Sequence, residues 1–152
     1  MATHTKSSHE SEDKLLNKYW ETTGGRLYVE IPIGGQGGEP PWLEGTRRRR
    51  IDGVLFPDLP PNPTFPSRFD PQSFPDDLKK SDHEKIEIIE VKRHLDRIVI
   101  GQVLVAQDMF ERQYGVRPTK LIIVCEAADP GQEWVCRQRG IEVKVVSRSG
   151  LS

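Results

Sequence analysis

The stretch KIEIIEVKRHLD, residues 85–96, decides how this chain is read. Ile86, Ile88, Ile89 and Val91 make a short, largely β-branched apolar run, the mark of a buried strand. Glu90 and Lys92 interrupt that run two residues apart, and on a pleated strand this spacing sets both on the same face. A carboxylate and an ammonium on an otherwise buried strand need a reason to be there.

The sequence on either side supplies the frame. Downstream, RIVIGQVLVAQDMFERQYG (97–115) reads as a helix stopped by Gly115, and KLIIVCEA (120–127) as a strand. GQEWVCRQRG (131–140) is a short helix stopped by Gly140, and IEVKVV (141–146) closes the order as a strand. Upstream, HESEDKLLNKYWE (9–21) carries Leu15, Leu16, Tyr19 and Trp20 at helical spacing, with Ser8 or Ser11 as its cap. RLYVEIPI (26–33) alternates as a strand does, GGQGGEPPW (34–42) is a Gly/Pro loop or wide hairpin, and TRRRRIDGVLF (46–56) is a second strand. The order αβββαβαβ predicts an antiparallel meander of three strands, then a crossover helix that adds the next strand in parallel. The expected class is α/β, a mixed central β-sheet flanked by helices. One domain spans residues 9–146, between an N-terminal disordered tail (1–8) and a C-terminal tail (147–152).

Residues 57–82 differ in kind. They hold seven of the twelve prolines, interleaved with Phe65, Phe69 and Phe74, and so read as a long insertion loop rather than a strand or helix. Loops of this length inside a domain are commonly functional, and the three aromatics point to a loop that docks on something, with a floppy insertion as the alternative.

At 152 residues, with 35% hydrophobic and 30% charged, the chain is long enough for a single real core. Its apolar runs are too short to span a bilayer, and MATHTKSSHESEDK lacks the apolar centre of a signal peptide, so a cytoplasmic protein is expected. Cys125 and Cys136 have no His or Cys partner at zinc-finger spacing and read as small buried hydrophobes. The net charge of -1 gives no global pull toward nucleic acid, yet Arg47, Arg48, Arg49 and Arg50 are consecutive and form a local basic patch.

Asp52 is the second acid of interest. It sits in the apolar part of its strand and is followed by Gly53, where another group can approach the backbone closely. If its strand neighbours that of Glu90, the two carboxylates converge with Lys92 at one end of the sheet. Two partly buried carboxylates repel, and each alone tends to take up a proton. A divalent cation resolves the conflict. Oxygen donors without histidine favour Mg2+ or Mn2+ over zinc, and Mg2+ held by one or two carboxylates suits a phosphate-bearing substrate. A lysine beside them can orient or deprotonate an attacking water and offset charge building on the phosphorane.

Asp52, then Glu90-Val91-Lys92, then Gln102 in the following helix resembles the PD-(D/E)XK nuclease superfamily, which includes type II restriction enzymes, archaeal Holliday-junction resolvases and RecB-like nucleases. The family's restriction-endonuclease-like core is similar to the order read from Ser8 to Glu126. The resemblance implies that Asp52 and Glu90 ligate magnesium with the Val91 carbonyl, that Lys92 is the catalytic lysine, and that Gln102 lies beside the site. The glutamate that resolvases carry on their first helix maps to Glu12, with Glu10 as the alternative. Ile51 stands where many members have proline, and the insertion at 57–82 stretches the separation from Asp52 to Glu90.

Three readings follow. In the first, a Mg2+-dependent endonuclease cuts duplex or branched DNA. Arg47 to Arg50 meet the phosphate backbone, the proline-rich loop covers or reads the substrate, and a homodimer addresses two strands. In the second, the same fold is a catalytically retired module that binds nucleic acid or a partner. In the third, Glu90 and Lys92 are an ion pair on an exposed sheet edge, contributing about 0–1 kcal/mol. Elsewhere, Trp134 and Cys136 read as packing residues, His94 as an exposed turn residue, and Asp129 as a helix cap. His4, His9, His83 and His94 do not form a ligand set.

Overall fold

The computed structural model describes residues 2–35 and 40–147. Its elements are α1 (Ala2–Thr23), β1 (Arg26–Ile33), β2 (Arg49–Phe56), α2 (Phe74–Lys80), β3 (Glu87–Val91), α3 (Arg97–Tyr114), β4 (Lys120–Cys125), α4 (Pro130–Gln138) and β5 (Ile141–Val145). The strands form one sheet in sequence order. β1, β2 and β3 are antiparallel, and β4 and β5 are added parallel to β3. The expected meander and parallel step are both present, because α3 and α4 each return the chain along the sheet before the next strand begins.

Side-chain periodicity sorts the core into two layers. Leu15, Leu16 and Tyr19 of α1 pack on one face of the sheet against Leu27, Val29, Leu55 and Ile89. On the other face, Phe74 of α2, Val99, Val103 and Phe110 of α3 and Cys136 of α4 cover Ile88 and Ile123. Along β3, Ile86 and Ile88 face the α3 layer while Ile89 and Val91 face α1. Glu90 and Lys92 therefore point toward α3. That helix is fixed at both ends: the Asp96 side chain accepts from the Val99 N–H, and Gly115 adopts φ 77° at the C-cap. Asp129 caps α4 by accepting from the Gln132 N–H, as expected.

Several expectations are corrected. α1 begins at Ala2, so residues 2–8 of the expected tail continue the helix and Ser8 and Ser11 lie within it rather than capping it; ATHTKSS contains neither Gly nor Pro to stop a helix. The last five residues of the expected tail 147–152 lie outside the described residues, as do residues 36–39 of the Gly/Pro loop. The proline-rich segment contains α2. Pro75 lies in the first turn, where its missing N–H costs nothing, Asp76 and Asp77 precede Lys79 and Lys80 along the helix dipole, and Phe74 and Leu78 are buried one turn apart. Trp134 is 57% exposed and packs no core, whereas Cys136 and Cys125 are buried. Burial pushes the Cys125 thiol up to about 11.

The rest of the proline-rich segment docks on the chain's own edge. The Asn62 amide accepts from the Leu27 N–H at 2.8 Å and donates to the Leu27 carbonyl at 2.9 Å, standing in for a neighbouring strand beside β1. Phe69 and Phe74 pack on Tyr28, and Phe65 on Trp20. The segment expected to dock on something thus clasps an edge of its own sheet.

Candidate active site

Asp52 owes its placement to an irregularity in two strands. Glu30 has φ 54°, the only positive φ at a non-glycine among the described residues. It lies opposite Asp52, where the β1–β2 pairing skips from Val29↔Gly53 to Ile31↔Ile51. Leu27 and Val29 face α1, but Ile31 and Ile33 face α3, so the chain rotates at this point and β2 rotates with it. Glu30 thus holds a left-handed conformation that non-glycine residues adopt sparingly. Gly53 meets Leu27 and Leu16 rather than a backbone: a Cβ there would lie 3.3 Å from Leu27 Cδ1. The close approach expected at this glycine serves packing under α1.

Pairing of β2 with β3 ends at Gly53↔Ile89, while β3 stays paired with β4 as far as Val91↔Val124. β2 and β3 part beyond that rung, and Asp52 fills the gap. Its Oδ2 accepts from the Val91 N–H at 2.8 Å. Glu90, beside Val91, is 6% exposed and feels the charge of the neighbouring Asp52 carboxylate. Burial, reinforced by the charge of Asp52 and more weakly by that of Glu12, holds the Glu90 carboxyl well above the usual carboxylate range. Without a counter-charge, burial beside Asp52 favours the protonated form of Glu90.

A cleft of about 610 Å³ opens over the pair. β2 supplies Arg49, Arg50 and Asp52, β3 and its end supply Glu90, Val91 and Lys92, α3 supplies Gln102, and α1 supplies Glu12. Residues expected to act together from four separate elements thus meet in one place. Glu12 lines the cleft and Glu10 does not. Arg47 and Arg48 are exposed but lie outside this cleft, and Arg50 Nη1 is 3.7 Å from Glu30 Oε2. His94 is exposed. No residue of 57–82 lines the cleft.

The donor chemistry can be tested against a cation. Among the described residues, no group of three or more His, Cys, Asp or Glu side chains is arranged to hold a metal by itself. Two carboxylates pressed together in a buried, open-mouthed cleft do fit Mg2+, which takes one or two protein carboxylates and fills its remaining positions with water and phosphate oxygens. The strand kink and the Trp42 region described below escaped the sequence reading. Glu30 is not a glycine that would announce a positive φ, and Trp42 closes the stretch read only as a Gly/Pro loop or wide hairpin.

Among the described residues, no helix is long and apolar enough to cross a membrane. No family model and no curated protein matches the sequence. Among solved structures, one described as EndoMS in its apo form is similar at TM-score 0.37 and 11% identity, covering 92% of this chain and 96% of that one. A repair endonuclease from Pyrococcus abyssi is similar at TM-score 0.52 and 17% identity, over 90% of this chain and 46% of that one. This chain therefore has the fold of roughly half of a repair endonuclease, with its acids, lysine and glutamine gathered where two strands of the sheet part.

Proposed function

We propose that the protein is a metal-dependent nuclease of PD-(D/E)XK type that hydrolyses phosphodiester bonds of DNA. The observation that carries this reading is the meeting of Glu12, Asp52, Glu90, Lys92 and Gln102 in one cleft. The structural likeness to a repair endonuclease supports the fold on which it rests.

Asp52 and Glu90, with the Val91 carbonyl, would hold Mg2+, for which Mn2+ substitutes. When bound, the cation supplies the positive charge that lets both carboxylates ionise side by side and draws in a phosphate oxygen. The Val91 N–H keeps Asp52 aimed into the gap. Lys92, on the same face as Glu90, orients the attacking water and opposes charge building on the phosphorane. Gln102 and Glu12 border the water and hold it by hydrogen bonding. Arg49 and Arg50 at the cleft, with Arg47 and Arg48 next to them, draw in the phosphate backbone. A homodimer in the cytoplasm, with one site for each strand, is the working assembly for duplex or branched DNA.

The test is incubation of the purified protein with linear, branched and single-stranded DNA in Mg2+, Mn2+ or chelator. Cleavage in either metal, lost in Asp52→Ala, Glu90→Ala and Lys92→Ala proteins with unchanged circular dichroism, supports the reading. Unchanged cleavage by the Glu90→Ala protein sinks it. A retired binding module would instead retain DNA affinity with no cleavage under any condition.

A further inference from the structure

A second cleft, of about 570 Å³, adjoins the first and shares Arg49 and Val105 with it. Its chemistry is the reverse. Trp42, Leu43 and Met109 provide apolar surface, Arg47, Arg49 and Arg112 provide charge, and no acid lines it. Asp108 and Glu111, on the same helix as Met109 and Arg112, are engaged by Arg117 at 2.9 and 2.8 Å.

The indole of Trp42 is held in place without being buried. Its Nε1–H donates to Gln113 Oε1 at 3.0 Å, and the Arg112 guanidinium lies over the ring, 5.3 Å from its centroid. Gln113 in turn accepts from the Gly34 N–H and donates to the Pro32 carbonyl, tying the ring to the end of β1. Leu43, beside it, is 77% exposed. An oriented half-exposed indole, a bare leucine and three arginines do not form a core. They match a ligand with a flat apolar ring and anionic linkages.

We propose that this cleft seats an unpaired nucleotide of the substrate strand, its base against Trp42 and Leu43 and its phosphates on Arg47 and Arg49. The proposal rests on the nuclease reading and narrows its substrate. In an intact duplex both faces of every base are covered by stacked neighbours, so only an unpaired base can offer its face to the indole. Because Arg49 belongs to both clefts, one strand can pass from the arginine-lined cleft to the acids without leaving the surface. Single strands, or junctions with unpaired nucleotides, are then preferred over continuous duplex.

The experiment is fluorescence anisotropy with labelled oligothymidylate and with a duplex of equal length, in chelator, so that binding is read apart from cleavage. Wild-type protein binds the single strand more tightly. Trp42→Ala weakens that binding roughly ten- to a hundredfold, the range a base–aromatic stack supplies, leaves duplex binding within about twofold, and Trp42→Phe restores most of the loss. Equal losses on both ligands, or none on either, overturn the proposal. A Trp20→Phe/Trp134→Phe protein leaves Trp42 as the sole tryptophan. Its fluorescence is quenched by saturating oligothymidylate, and unquenched emission at saturation overturns the seat even if Trp42→Ala fails to fold. Ring-dependent binding without cleavage in any metal would reject the nuclease reading alone; cleavage with binding indifferent to Trp42 would reject the seat alone.

Discussion

Asp77 and Glu90 are both buried acids, 4% and 6% exposed, and their surroundings could hardly differ more. Asp77 is matched with donors: the Arg26 guanidinium at 3.1 Å and the Tyr28 hydroxyl, which burial and this bond push up to about 12. Glu90 is matched with another acid, Asp52, and lies within the field of a third, Glu12. A fold that buries a carboxylate for stability surrounds it with hydrogen-bond donors and positive charge. A fold that buries carboxylates together leaves their charge unmatched by the chain itself, and in the proposed reading a cation would supply the match.

The largest expected effect sets the two acids apart by activity. Glu90→Gln should lower cleavage by about a thousandfold or more, near 4 kcal/mol of barrier, while Asp77→Asn leaves the folded fraction active; steady-state cleavage rates normalised to folded protein check this. Next is the charge that faces the substrate. Replacing Arg47 to Arg50 with glutamine should flatten the dependence of log affinity on log salt by about three units, whereas an unchanged slope would make these arginines surface decoration. In third place, Asp77→Ala takes one acceptor from the Tyr28 hydroxyl and the Arg26 guanidinium, which keep Ser73 and the Pro60 carbonyl, and should cost about 1–2 kcal/mol in urea unfolding, an expense Glu90→Gln avoids.

The smallest effect is on the pH dependence of stability. Glu90 titrates higher in the folded chain than in the unfolded one. Its contribution is therefore fully present below the ordinary carboxylate range and is lost as pH rises through the elevated folded value. Metal-free wild-type protein should lose melting temperature as pH rises above the ordinary carboxylate range, and Glu90→Gln should flatten that loss. Glu87, raised chiefly by burial despite its bond from the Tyr19 hydroxyl, remains in both proteins and cancels in the comparison.

Much of this was legible in the residues themselves. RLYVEIPI alternates and is the whole of β1, and the break in KIEIIEVK marked both a strand and a site. Local pattern sufficed there because each strand's burial is written in its own side chains. Where partners decide, pattern fell short. The proline-rich segment read as loop although proline suits a helix's first turn, and Phe65, Phe69 and Phe74 announced docking without naming its target, because the β1 edge they cover is distant in sequence. The parting of β2 from β3 depends on where a ladder stops, and no single residue records that. Asp52 and Glu90 could be nominated from the sequence, but the bond from the Val91 N–H that holds Asp52 beside Glu90 belongs to the fold.

The most direct measurement is the melting temperature of wild-type and Glu90→Gln proteins near pH 8, with chelator and with millimolar Mg2+ or Mn2+. A ligand that binds only the native state raises its stability in proportion to the logarithm of its saturation. We expect either metal to raise the wild-type melting temperature and to leave that of Glu90→Gln where the chelator leaves it. An equal rise in both proteins, or no rise in wild type with either metal, would contradict a cation held between Asp52 and Glu90.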